Sequence, residues 1–438
     1  MMKVVYILIF LCLVLVYSYR QLYFLQQRTK QNNFLFCCGL AIKIMGALFL
    51  FYLFPRPFGD SYEYFEQAQT LRTAFETDFS IGWKILTTPP EAWAWETRFF
   101  GDQFHSHIKN DFDSFSFVKS CLLISICCMN NYLICTFFFA FVSHHFLWKL
   151  FCAFTQNNSN ILTSNTLKSK IIWFVLIYCF PSTIIWSSGL LKDTLVYWCL
   201  IGVFLFFVKK EKNWPLFVTS ICIIYLMKAY LFLQLGSLAL IVYGYSTGMR
   251  KLPFANAINF FVITASISGL LVSFSFLIKD STHFWGQFHL TGIVEYISGI
   301  ENWNTRPGQN TSFHYGDAFW TPSKLIWTAP IAIITGLFRP FLWEYNSPLM
   351  TIFAIESLSL FTLSLYGLKK LSLVLFKELI QKPTFIFVGL SIISFGYILG
   401  ISTFNFGALS RYKTPLFLMV LALIYYIQQV KSIKQTTS

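Results

Sequence analysis

Charge is scarce in this chain: Asp, Glu, Lys and Arg make up 12% of 438 residues, and only 19 residues are acidic. Soluble domains carry about 25% charged residues. The deficit excludes an ordinary water-soluble domain and, with 56% apolar residues and 51 phenylalanines, points to a polytopic membrane protein. The 11 cysteines contain no CxxC pair and no Cys/His spacing of the metal-binding kind. Most lie in apolar stretches, as Cys12, Cys38, Cys135 and Cys199 do, and read as small apolar side chains. That excludes a disulfide framework. No small-residue cleavage site follows the apolar stretch 4–17, where Tyr17-Ser18-Tyr19-Arg20 stands instead; the stretch is expected to remain as a transmembrane anchor. No internal repeat is convincing. The net charge of +14 is spread over short loops between apolar runs, as the positive-inside rule expects, so no nucleic-acid partner is expected.

What is present is a series of apolar runs near the length that crosses a bilayer. About eleven spans are predicted, at 3–19, 34–54, 130–154, 170–188, 192–208, 214–230, 231–247, 254–278, 346–366, 384–403 and 414–430. The fold class is therefore all-α: a polytopic transmembrane helix bundle, with 1–438 as one integral membrane domain. A twelfth apolar stretch, 324–338, is decided by loop charge. Arg20, Arg28, Lys149, Lys168, Lys209, Lys210, Arg250 and Lys251 place the earlier loops in the cytoplasm, and Lys369, Lys370, Lys377 and Lys382 join them if 324–338 does not cross fully. A full crossing would put those last four outside. Pro330, Gly336 and Pro340 suit a broken helix, so 324–338 is read as re-entrant or interfacial. The N-terminus is then outside and Lys431 and Lys434 are inside.

On this topology the cytoplasmic segments hold only Glu211 and Glu378 as acids, and almost all the others face outward. Two outer segments result, 55–129 and 279–345. The first should contain a surface helix over 61–79, interfacial tryptophans at Trp83, Trp93 and Trp95, and an interfacial helix over 114–129. Five polar clusters, 59–64, 187–193, 306–317, 338–344 and 410–413, share the outer face and are expected to build one site there.

Each cluster has a plain reading beside a chemical one. Asp60 could cap the next helix, with Glu63 completing a capping box. Equally, Asp60 could act as a general base or metal ligand at the membrane surface, with Glu63 one turn away on the same face. Lys192 is placed to meet a lipid phosphate or to lie beside Asp193, and Gly189 permits unusual backbone angles. Arg339 offers a fork suited to phosphate, which Glu344 would orient. Arg411 and Lys413 form a basic outer cluster suited to an anion. Glu356, about ten residues into its span, is a functional candidate by depth, or a structural partner for Lys43. His105, His107, His283, His289 and His314 show no ligand spacing, although one could serve as acid or base. Asn157-Asn158-Ser159 has the glycosylation pattern but falls on the cytoplasmic side.

The acidic element at 60–64, the turn Pro181-Ser182 to Trp186-Ser187-Ser188-Gly189-Leu190-Leu191-Lys192-Asp193, and the late Arg411-Tyr412 before Pro415 together resemble bacterial polytopic glycosyltransferases of the GT-C class. O-antigen-polymerase-like membrane proteins share the likeness. The resemblance covers roughly residues 55–416 and rests on short motifs. It implies a polyprenyl-phosphate sugar or undecaprenyl-diphosphate glycan as donor, membrane lipid as partner, and a site on the extracytoplasmic face of a bacterial inner membrane. It implies Asp60 as catalytic base or ligand of a divalent cation, and Lys192, Arg339, Arg411 and Lys413 as holders of the donor phosphate. In that pattern the acidic loop follows the first span, whereas here it follows the second. Two other classes stay open: a transporter or flippase for an anionic lipid or small molecule, and a non-catalytic subunit of an envelope assembly machine.

Overall fold

The computed structural model describes residues 30–53, 59–88, 97, 100–109, 111–156, 167–208, 212–248, 290–304, 312–315, 320–344, 347–369, 379 and 381–437. These residues are helical throughout; a single antiparallel bridge, Ser312 with Asn405, is the one extended pairing among them. Four helices are long and apolar enough to cross a membrane, covering Gln31–Tyr52, Tyr132–Thr155, Pro348–Gly367 and Pro383–Ser402; a bent pair, Phe406–Tyr412 with Thr414–Gln428, meets the same standard as one span bent by 44°. These are the marks of a helical membrane protein. They coincide with the predicted spans 34–54, 130–154, 346–366, 384–403 and 414–430. The predicted spans 3–19 and 254–278 lie outside the described residues.

The chain divides into two compact units, Met1–Ala229 and Tyr230–Ser438. In the first unit the long helices are α1 (Lys30–Leu53) and, further on, α6 (Tyr132–Gln156). Between them come α2 (Asp60–Thr77), α3 (Phe79–Thr87), the single turn α4 (Ser106–Lys109) and α5 (Phe112–Cys127). Helix α2 begins with two acids, Asp60 and Glu63, in its first turn, where the helix dipole favours negative charge. Its residues Tyr64, Ala68, Leu71 and Ala74 recur at helical spacing and are buried, forming the face that packs on α5. Asp78 ends α2 and caps α3 by accepting from Ser80 N at 2.7 Å. After α5 the chain turns through Met129 and Asn130, both left-handed. Asn131 then caps α6 through Leu133 N at 3.0 Å.

The rest of the first unit corrects two predicted spans. The stretch 170–188 is not one helix: α7 (Leu167–Tyr178) stops, and α8 (Pro181–Trp186) restarts with Pro181 in its first turn, because proline supplies no amide for a continuing ladder. After α9 (Lys192–Val208), the predicted span 214–230 ends early. Helix α10 (Trp214–Met227) terminates at Lys228, whose backbone leaves the helical region with φ −153°. Aromatic rings knit these helices together. Phe36 meets His144 edge-on at 4.4 Å, Phe154 meets Trp173 at 4.6 Å, and Phe139 meets Trp198 at 4.9 Å. Lipid is as apolar as a protein core, so such rings stabilise by close van der Waals contact more than by escape from water.

The second unit contains α11 (Ala229–Gly248, apart from its first residue), α12 (Leu290–Asn304), α13 (Pro322–Trp327), α14 (Ala329–Phe338), α15 (Pro348–Lys369), α16 (Pro383–Ser402), α17 (Phe406–Tyr412) and α18 (Thr414–Thr437). The stretch 324–338 forms α13 and α14, which meet at Thr328 with Pro330 in the first turn of α14. Ten residues of α14 reach only about 15 Å, half the hydrocarbon thickness. Helix α14 touches α16 backbone to backbone. A Cβ on Gly336 would lie 1.9 Å from Gly396 O, and one on Gly400 would lie 2.0 Å from Ala332 O. Gly396 and Gly400 make the small-xxx-small pattern that permits such an approach. Gln234 of α11 reaches the other side of α16, donating to Ser394 Oγ at 2.7 Å.

Candidate functional site

Polar side chains gather in each unit. In the first, the N-terminus of α5 meets that of α9. Asp111 caps α5, accepting from Ser114 N at 3.2 Å and Ser114 Oγ at 2.5 Å. The same carboxylate takes an ion pair from Lys192 Nζ at 3.3 Å, and that ammonium also donates to Ser114 Oγ at 3.0 Å. Tyr64 of α2 closes the group, its hydroxyl 3.3 Å from Ser114 Oγ. Lys192 is 14% exposed and Asp111 47%, so the cluster runs from solvent into the protein.

Behind it lies a drier pair. Asp193 and Lys228 form an ion pair with 2% and 4% of their side chains exposed. The sequence had offered Lys192 beside Asp193; in the structure the two neighbours point to different partners, Asp111 and Lys228. Asp113, a residue that sequence reasoning missed, feels the charges of Lys192, Asp111 and Lys228. Burial and the nearby Asp111 carboxylate push its carboxyl up from the ordinary 3.8 to about 7, against the pull of Lys192 and Lys228. Burial is the largest of these influences, as expected for a carboxyl losing water. Helix α5, with 16 residues, is not among the helices long enough to span a membrane.

Asp60 and Glu63 sit near this group on α2. The cap of α2 is Gly59, which has no side chain to bond the first turn, and Asp60 is the first helical residue. The capping-box reading is thereby corrected. Asp60 is exposed, while Ser61 beside it is buried and accepts from the Tyr132 hydroxyl at 2.9 Å. Glu63 points to α4, with Oε2 3.1 Å from His107 Nε2. Lys43, fully buried in α1, donates to Thr183 O and Ser187 Oγ, both at 2.5 Å, and to Ser188 Oγ at 3.2 Å. Gly189 was expected to serve by unusual backbone angles. Instead it serves by close approach: a Cβ there would stand 2.5 Å from Leu50 Cδ1.

The second unit holds Arg339, Glu344, Glu356, Arg411 and Lys413. Arg339 ends α14, and its Nε donates to Glu344 Oε1 at 2.8 Å while its terminal nitrogen pairs with the same oxygen. Glu344 Oε2 also accepts from Phe341 N at 2.8 Å. The guanidinium lies over Phe313 at 4.7 Å and over Phe406 at 5.7 Å, both cation–π distances. Phe313 is set there by its backbone bond to Phe404 O at 2.9 Å. Lys413 donates to the Arg339 carbonyl and to Ser357 Oγ, the latter at 3.2 Å. Its ammonium also interacts electrostatically with Glu356 and Glu344. Glu356, which the sequence offered as a partner for Lys43, thus faces Lys413 within its own unit. Arg411 lies 5.8 Å over the ring of Tyr412. Of the predicted site residues, Arg339, Glu344, Glu356 and Lys413 come together here; Asp60, Glu63, Lys192 and Asp193 belong to the first unit.

The two clusters differ in what they can do. Arg339 spends its fork on Glu344 and its face on aromatic rings, an arrangement that fixes the end of α14. The first unit combines a carboxyl near neutral pH with a partly exposed ammonium, an arrangement able to exchange a proton beside an anion. The chain matches no protein-family model, no curated protein and no solved structure among those compared with it.

Proposed function

We propose that this chain is a bacterial inner-membrane glycosyltransferase or glycan polymerase that uses a polyprenyl-phosphate-linked sugar on the extracytoplasmic face. On this reading the membrane domain crosses about eleven times, and 324–338 enters and returns on the outer side. Asp113 supports the reading most, as a carboxyl raised to about 7 beside Lys192. A base taking a proton from an acceptor hydroxyl works best with a pKa near the working pH. Lys192, 14% exposed, offsets the charge that grows on the departing phosphate, the kind of preorganised electrostatic help that dominates such steps. Asp60, exposed at the start of α2, receives the acceptor. A lipid-borne donor accounts for a polar site among helices built for a bilayer. The test is surface glycan in Asp113→Asn and Lys192→Ala strains with normal protein levels. Loss in both is expected, and wild-type glycan in both removes the assignment.

A second reading, a transporter for an anionic lipid or small molecule, draws on the Asp193–Lys228 pair, almost wholly buried. Ion pairs at such positions recur in proton and substrate pathways. Uptake lost in Asp193→Asn while glycan persists would favour it.

A further inference from the structure

Glu63, His105 and His107 lie 42 and 44 positions apart in the chain, yet they meet in the first unit. One donor atom from each can be chosen so that all three stand within 4.8 Å of one another. The closest pair, Glu63 Oε2 and His107 Nε2, is 3.1 Å apart. The two imidazoles lie side by side, with ring centres 5.5 Å apart and planes at 31°. The backbone that presents them is fixed from both sides. His105 N donates to Gln67 Oε1 at 2.9 Å, and His105 O accepts from Ile108 N and Lys109 N at 2.9 Å each. Gln67 lies one turn beyond Glu63 on α2 and is buried, so one helix holds both the carboxylate ligand and the anchor of the histidine segment. Glu63 has 21% of its side chain exposed and His107 65%.

From this geometry we propose that Glu63, His105 and His107 hold one divalent transition-metal ion of the Zn2+ class. Two imidazoles and one carboxylate suit a borderline ion better than Mg2+ or Ca2+, which take oxygen ligands. Donors about 2.1 Å from a tetrahedral ion are about 3.4 Å from one another. The Glu63–His107 separation fits that value, and rotation of the exposed His105 ring closes the remainder. With three protein ligands the fourth position is left for water or a ligand oxygen, which is the composition of reactive rather than purely structural zinc sites. The ion would also fasten α4 and the residue before it to α2. The inference stands independently of the transferase reading, because it concerns binding of the metal alone.

The test uses the full-length chain in detergent, stripped with chelator and titrated with CoCl2 and ZnCl2. One Co2+ per chain, with visible absorption of tetrahedral intensity that Zn2+ displaces, is expected. Losing even an outer-shell partner of a metal costs about 10–100-fold in affinity, so His105→Ala, His107→Ala and Glu63→Gln should each lose at least that much. His314→Ala, in the other unit, should change nothing. A His107→Asn variant with an unchanged gel-filtration profile guards against misfolding as the cause. A stoichiometric Co2+ spectrum that survives the His105→Ala/His107→Ala double variant, or no such spectrum in the parent chain, overturns the proposal.

Discussion

Asp113→Asn should make the protein more stable, and by an amount that grows with pH. A carboxyl raised from 3.8 to about 7 keeps its proton in the folded protein over a range where the unfolded chain has lost it. Between those two values the folded state therefore binds more protons, and stability falls as pH rises. The penalty is complete once pH exceeds the folded value. One pKa unit corresponds to about 1.4 kcal/mol. The difference of roughly three units gives a ceiling of about 4 kcal/mol at pH 8 and about 1.7 kcal/mol at pH 5. Asparagine copies the protonated shape without a titrating proton. Its stability relative to the parent should thus rise by about 2.5 kcal/mol from pH 5 to pH 8. The assay is unfolding in detergent followed by tryptophan fluorescence at unit steps of pH. A difference that stays flat, or that shrinks as pH rises, refutes a buried neutral Asp113 and removes the general-base argument with it.

Breaking the Asp193–Lys228 pair from one side should cost about 3–5 kcal/mol, because a charge is left buried alone; Lys228→Met measured by unfolding shows this, and Lys228→Met/Asp193→Leu should recover most of the loss. Gly400→Ala should cost about 1–3 kcal/mol by overpacking, since its Cβ would enter Ala332 O at 2.0 Å. Gly389→Ala on the same helix, with open space around it, serves as the comparison that should stay near parental stability. Arg339→Lys keeps the charge but gives up the fork and the ring stacking. It should lower stability by about 1.5–3 kcal/mol, and an equal melting midpoint would argue against the clamp.

The parts of this fold readable in the sequence are those written as long apolar runs. Helices α1, α6, α15 and α16 carry their signal in every residue, so their ends were placed within a few positions. The stretch 170–188 is as apolar, but Pro181 divides it, and a hydropathy pattern averages over one residue. The pairing of Arg339 with Glu344 was legible because both lie in one turn of chain. Lys413 beside Glu356 depends on how α15 meets α17, and nothing local encodes that. Asp113 was overlooked for a similar reason. An acid two residues into a helix normally completes the helix dipole, and only its enclosure near Lys192 and Lys228 separates it from such acids. His105 and His107 lack helical ligand spacing, and their third donor arrives from α2.

The end of α8, ahead of α9, exposes backbone carbonyls inside the bundle. Transporters often fill such a gap with a sodium ion held by unwound carbonyls and hydroxyls. Here the Lys43 side-chain nitrogen occupies the equivalent position among Thr183 O, Ser187 Oγ and Ser188 Oγ. A covalently tethered amine cannot dissociate, compete with its medium or be diluted away. The turn after α8 is thus locked into the polypeptide itself, and its geometry should be indifferent to whether sodium, potassium or neither surrounds the cell.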